Sequence, residues 1–271
     1  PRGGLLERLI ATAPELFGDR PLEIHLVDPF PFGAGRIWRS DQSPLLWANS
    51  MAGDTTMFTD ASCTIDGPIV PGPNLAEWAA THGPDVDSRA DARVRAELSR
   101  LTGASFPTRQ LVNEYLAWTF RQAAKAAPGN VDVQVHPHRA VDLLDAPDGR
   151  QQVVLEGAPP LTADAVLLAL GHLPSEPLGE SAELAAFAER HSLAYLAESY
   201  TADADLEQFS AGQEVIVRGF GLAFIDLMVL LTEGRGGTYR EDGTGRLIYR
   251  PSGREPRLHV ARGAASRTGP S

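Results

Sequence analysis

Cysteine is almost missing from this 271-residue chain; Cys63 stands alone, which excludes an intramolecular disulfide and leaves no thiolate pair for metal or redox work. No apolar run approaches the roughly 18 residues of a membrane-spanning helix. Positive charge is scarce: 24 Lys and Arg face 35 Asp and Glu, a net charge of −11, so no basic excess is present to hold nucleic acid or an anionic membrane surface. Also lacking are the G-x-S-x-G nucleophile turn, the H-E-x-x-H zinc helix and the G-K-[ST] phosphate loop. These absences point to a cytoplasmic protein that handles a small molecule, and leave the oligomeric state open.

The residues present are those of an α/β domain. Apolar residues make up 43% and charged residues 22%, ordinary globular usage over a length that can bury a substantial core. Pro1-Arg2-Gly3 reads as the tail of a G-x-G-x-x-G turn. It runs into an amphipathic segment, residues 4–17, with Leu5, Leu6, Leu9 and Ile10 at helical spacing, and then into the apolar run 22–27 that stops at Asp28. Turn, helix, strand and acid form the order of a dinucleotide-binding βαβ unit, in which the helix N-terminus faces a pyrophosphate and the acid accepts from a ribose. A strand preceding Pro1 is therefore expected, and the sequence reads as a piece of a longer protein.

A second turn of this kind lies far downstream. Residues 214–218 read as a short buried strand, Gly219-Phe220-Gly221 as the turn, and residues 222–232 as an apolar helix, although Phe224 occupies the third glycine position. Two such turns imply two nucleotides, the usual arrangement when a nicotinamide delivers hydride to a flavin. The expected fold is a Rossmann-like FAD/NAD(P)-binding flavoprotein fold. Residues 1–210 would form an FAD-binding domain lacking its first strand, and residues 211–271 the incomplete start of a nicotinamide-nucleotide unit.

Between the turns, residues 29–64 read as a long loop carrying Phe30, Phe32, Trp38, Trp47 and Phe58, more aromatic surface than a solvated connection uses. Helices are expected over 74–81, 89–102 and 107–127, with a Gly83-Pro84-Asp85 break. Short strands are expected over 131–136, 141–144 and 151–156. Residues 163–171 end a six-residue apolar run on Gly171 and read as a buried parallel strand opening onto a glycine turn.

Several segments together carry a resemblance: Pro1-Arg2-Gly3, Val27-Asp28-Pro29, Gly33-Ala34-Gly35-Arg36-Ile37-Trp38, Leu45-Leu46-Trp47-Ala48-Asn49, Phe106-Pro107-Thr108-Arg109, Leu167-Leu168-Ala169-Leu170-Gly171-His172 and Gly219-Phe220-Gly221. The chain resembles the bacterial two-dinucleotide flavoproteins typified by nitrosuccinate-forming L-aspartate N-monooxygenases and FAD-dependent urate hydroxylases. The resemblance implies FAD and NAD(P)H as cofactors, with Gly3 at the FAD pyrophosphate and Asp28 at the adenosine ribose. Arg36, Trp38 and Asn49 would lie along the flavin, Arg109 beside it and Gly171 against the cofactor, while the strand-turn-helix order at Gly219 and Gly221 itself points to the nicotinamide nucleotide. The resemblance also implies that NAD(P)H reduces the flavin, that the reduced flavin activates oxygen, and that an amine or an electron-rich ring carbon of a small polar substrate, such as an amino-acid amine, is hydroxylated. No catalytic side chain or metal need then appear.

Other features have plainer readings. His136 and His138 alternate along a strand but find no third ligand nearby in sequence. His172 follows the Gly171 turn and either approaches the flavin or caps a strand end. Asp85, Asp87 and Asp91 suit a solvated loop. Arg240, Glu241 and Asp242 offer both a cation for a 2'-phosphate and acids for a free ribose. A nucleotide-binding protein without turnover, such as a redox sensor, remains the alternative to an enzyme.

Overall fold

The computed structural model describes residues 2–83, 92–173 and 175–261. These fall into two compact units, one of Pro1–Gln42 with Ala48–Gly171 and one of Ser43–Trp47 with His172–Ser271. The Gly83-Pro84-Asp85 break, Asp85, Asp87, Asp91 and residues 262–271 lie wholly or partly outside the described residues.

In the first unit, α1 (Arg2–Phe17) buries Leu6, Ile10 and Ala13, spaced four and three residues apart, on one stripe. That stripe packs on β1 (Leu22–Val27) through Ile24, with Leu22 and Leu26 alongside. β1 pairs in parallel with β2 (Val131–His136), Leu22 opposite Val131 and Val27 opposite His136. A parallel pair needs a crossover, and residues 28–130 supply it. The crossover contains α2 (Leu75–His82), α3 (Ala92–Leu98) and α4 (Arg109–Lys125). The C-terminal part of α4 returns to the sheet, placing Phe120 and Ala123 against the α1–β1 cluster.

Two of the crossover helices, α2 and α4, have a local reason to start. Asn74 and Glu77 form a reciprocal capping box at α2, and the Thr108 hydroxyl accepts from the Leu111 amide, 3.2 Å, at α4. The core between them is aromatic, with Trp78 and Tyr115 edge to face at 5.6 Å and Trp38, Phe58 and Trp118 packed around. The antiparallel strands β3 (Ala140–Asp145), β4 (Gln151–Leu155) and β5 (Leu161–Ala163) form a separate meander.

The expected buried strand over 163–171 does not form. Only Leu161–Ala163 pairs, antiparallel to β4, and beyond it Leu167 and Leu168 are each 65% exposed. An apolar run becomes a buried strand only with strands alongside it, and the one parallel ladder described in this unit is β1 with β2.

The second unit holds α5 (Glu180–Arg190), β6 (Glu214–Arg218), α6 (Leu222–Leu231), β7 (Thr238–Glu241), β8 (Leu247–Arg250) and β9 (Arg257–Ala261). β6 pairs in parallel with β9, Glu214 opposite Arg257 and Arg218 opposite Ala261, so the strand completing β–α–β is β9 and the β7–β8 hairpin is inserted before it. β6 is one-sided rather than fully buried: Val215 and Val217 enter a core with Phe209 and Phe224, whereas Ile216 is 79% exposed. Among the described residues no helix is long and apolar enough to cross a membrane.

Candidate functional site

Helix α1 and strand β1 are joined by a short turn and pack on each other, so they run in opposite directions and bring Gly3 and Asp28 to the same end. The first turn of α1 carries no acidic residue, which leaves the positive end of its dipole uncompensated by its own sequence. Gly3 is buried there, and a Cβ on it would meet the Met57 methyl group at 3.7 Å. Asp28 is only 7% exposed. Its Oδ1 accepts from the Phe30 amide, 3.0 Å, and its own amide donates to the His136 carbonyl, 3.1 Å. Its Oδ2 faces Gly35, where a Cβ would stand 3.7 Å away. A buried carboxylate against glycine suits a ribose, and a helix N-terminus without acids suits a pyrophosphate.

The loop after Asp28 is seated on α4. Gly33, at φ +92°, approaches the Leu116 carbonyl so closely that a Cβ would lie 2.5 Å from that oxygen. Phe32 stacks on Phe120 at 5.9 Å, and the Arg36 guanidinium stands 5.8 Å from the centre of the Phe30 ring. Trp38 packs against the Trp78–Tyr115 core. The first turn of α4 then collects the remaining positions: the Gln110 side-chain amide donates to the carbonyls of Ser40 and Gln42, 2.9 Å each, and the Ala48 amide donates to the Pro107 carbonyl, 2.8 Å. The first turn of α4 thus fastens the backbone at 40–42 and at 48, with the half-buried Arg109 its first residue and Asn49 exposed one residue beyond Ala48, while Arg36 stands by Phe30 and Trp38 on the Trp78–Tyr115 core.

Gly171 ends the first unit, and Gly219 and Gly221 belong to the second. Gly171 adopts φ +67° and Gly219 φ +114°, and nothing lies within 4 Å of a Cβ built on any of the three, so each exposes open backbone. Gly221 caps α6, whose first turn has no acid and no side-chain cap, an arrangement that fits an anion such as a pyrophosphate. Phe224 does not close the helix onto the strand as a glycine would. It enters the β6 core and stacks on the exposed Phe220 at 4.8 Å. Arg240 and Glu241 lie on the β7–β8 hairpin and Asp242 in its turn, not at the end of β9, so the structure places none of the three where the second strand of a βαβ unit reads the ribose.

The histidines resolve differently from their spacing. His136 meets His25 across the strand pair, Nε2 to Nδ1 at 3.0 Å, rather than sharing a site with His138. Burial first, then the neighbouring His25 and His138, hold His136 below the usual imidazole range. The His172 carbonyl accepts from the Tyr200 hydroxyl. Among the described residues no group of three His, Cys, Asp or Glu side chains is placed to hold a metal ion.

Sequence reasoning missed Glu97, Gln110 and the role of Gly33. Glu97 sits on α3, and its carboxylate accepts from both the amide and the hydroxyl of Thr108, at 2.7 and 2.6 Å. Nothing in the spacing of Glu97 and Thr108 signals that tie. The positive-φ requirement at Gly33 had a visible trace in the glycine-rich run 33–35.

A parallel β–α–β arrangement with an acid closing β1, and a second glycine turn between β6 and α6, define an α/β protein of dinucleotide-binding architecture. The chain belongs to the FAD-NAD(P)-binding family, whose pattern residues 2–173 match. It is 42% identical over 96% of its length to the nitrosuccinic acid synthase of Aspergillus oryzae, covering 38% of that protein. It is 42% identical over 96% of its length to an L-aspartate N-monooxygenase (nitrosuccinate-forming) of Streptomyces davaonensis, covering 41% of it. A Streptomyces cremeus protein of the same name is 38% identical over 96% of the chain, which covers 40% of that relative. The chain therefore spans about two fifths of the length of these relatives.

Proposed function

We propose that this chain is part of an FAD- and NAD(P)H-dependent monooxygenase that hydroxylates the amine of a small polar amino acid, with aspartate as the first substrate to try. The observation that carries the reading is a pair of helices, α1 with Gly3 in its first turn and α6 capped by Gly221, neither with an acid in its first turn, together with Asp28 closing the strand after α1. The names of the relatives supply the reaction class.

In this reading residues 1–210 hold FAD and residues 211–271 begin the nicotinamide-nucleotide unit. Gly3 lets the α1 backbone approach the pyrophosphate, and Asp28 accepts from ribose hydroxyls. Arg36, Trp38 and Asn49 line the flavin, Arg109 lies beside it, and Gly171 approaches the cofactor backbone first. Gly219 and Gly221 open the α6 amides to the second pyrophosphate. Bound FAD supplies the electron transfer and oxygen activation, while the protein orients substrate and excludes water. One turnover takes an amine, O2, NAD(P)H and a proton to a hydroxylamine, water and NAD(P)+.

The test is spectroscopic. The complete protein should bind FAD, bleach with NAD(P)H, and regain its colour while consuming oxygen and converting L-aspartate to N-oxygenated product. A coloured protein that bleaches yet oxygenates no amino acid would be a redox sensor and not a monooxygenase.

A further inference from the structure

Helix α4 begins against its own electrostatics. Its first residue is the cation Arg109, its first turn contains no acid, and the positive end of a helix dipole disfavours a cation there. The missing negative charge comes from another helix. Both carboxylate oxygens of Glu97, on α3, accept from Thr108, Oε1 from its amide at 2.7 Å and Oε2 from its hydroxyl at 2.6 Å. Thr108 is 8% exposed and its hydroxyl oxygen in turn accepts from the Leu111 amide, so one cap residue is bound from both sides.

The tie extends beyond the cap. Gln110 fastens the carbonyls of Ser40 and Gln42, the Gln42 side chain donates to the Ile37 carbonyl at 3.0 Å, and Arg39 donates to the Arg36 carbonyl at 3.0 Å. The Pro107 carbonyl holds the Ala48 amide, next to Asn49. A shift of the start of α4 would therefore pull on the backbone from Arg36 to Gln42 and on Ala48, next to Asn49.

We propose that Glu97 is a positioning residue for the flavin site, acting through Thr108 to set Arg109 and the 36–42 loop. The proposal rests on the reading that Arg109 lies beside FAD. Glu97 itself touches Thr108 and needs no contact with the cofactor. The effect is one of geometry, so a glutamine, equal in length and able to accept from the amide while donating to the hydroxyl, replaces it.

The experiment measures the FAD dissociation constant of the complete protein by flavin fluorescence for wild type, E97A, E97Q, R109A and the E97A/R109A double variant. E97A should weaken FAD by roughly tenfold and E97Q by much less. The double variant should bind FAD more tightly than the sum of the two single penalties implies, because part of the effect of Glu97 runs through the residue already removed. Where E97A does not fold, T108V cuts the same tie from its other partner and should show the same non-additivity with R109A. Additive penalties, or an E97A protein that binds FAD as tightly as wild type, overturn the proposal. A wild-type protein that takes up no FAD, or an R109A protein with unchanged affinity, overturns the site reading on which it rests.

Discussion

A Cβ placed on Gly33 would stand 2.5 Å from the Leu116 carbonyl oxygen and 2.8 Å from the Phe120 Cβ. The loop carrying Arg36 and Trp38 is thereby pressed onto the backbone of α4, with Gly33 in the left-handed region at φ +92°. Gly33→Ala faces both a strained backbone and a clash with main-chain atoms that cannot swing away. We expect it to destabilise the protein by more than about 2 kcal/mol. The midpoint of urea denaturation reads this directly, and an unchanged midpoint would mean that loop and helix separate more easily than the packing indicates.

Asp28 provides the second prediction. It is buried, tied through Oδ1 to the Phe30 amide, and turns Oδ2 toward glycine. Replacing it with alanine should weaken FAD by about 1–3 kcal/mol, the cost of leaving buried ribose hydroxyls without an acceptor. Isothermal titration of the complete protein with FAD measures the loss; equal affinities for wild type and Asp28→Ala would place the ribose elsewhere.

How much was legible in the sequence follows from which interactions are local. The helices α1, α2 and α4 announce themselves through apolar spacing and through Asn74 and Thr108 as caps, and β1, β2 and β6 through short β-branched runs. Leu167, Leu168 and Leu170 misled because burial of a strand depends on its neighbours, which composition does not encode. The hairpin of β7 and β8 misled in the same way: the acids Glu241 and Asp242 lie near the glycine turn in sequence, but parallel pairing with β6 belongs to β9. At the candidate site, the motif residues Asp28, Gly33 and Arg109 were visible. Glu97 was not, since a carboxylate reaching another helix's cap leaves no periodic trace.

The base of the hairpin predicts a pH dependence. The Glu255 carboxylate accepts from the Tyr249 hydroxyl at 2.6 Å and from the Ser252 and Gly253 amides, and the bonds from Tyr249 first and Ser252 next hold its pKa down at about 2. Burial, with help from Glu255, raises the Tyr249 phenol far above its ordinary range. A depressed carboxylate contributes stability above its unfolded value, near 4.5, and that contribution is lost as pH falls toward 2. Glu255→Gln should therefore lower the melting temperature at neutral pH, with the gap to wild type closing in acid. A gap that stays constant from neutral pH to acid would show that the charge of Glu255 is immaterial.

The last prediction separates the two nucleotides. Gly221 caps α6 with no side-chain partner, and nothing stands within 4 Å of where its Cβ would be, so a larger residue fits the protein without strain from its neighbours. That same space is where the pyrophosphate of NAD(P)H would meet the first amides of α6. Gly221→Val should therefore fold, retain FAD, and slow flavin reduction by NAD(P)H at subsaturating concentrations by roughly tenfold or more, since about 1.4 kcal/mol of lost binding corresponds to a factor of ten. Chemical reduction with dithionite bypasses the nicotinamide and should bleach the variant as it does wild type. Stopped-flow reduction at matched NAD(P)H concentrations decides the matter: identical rates in the two proteins would remove Gly219 and Gly221 from the nicotinamide site.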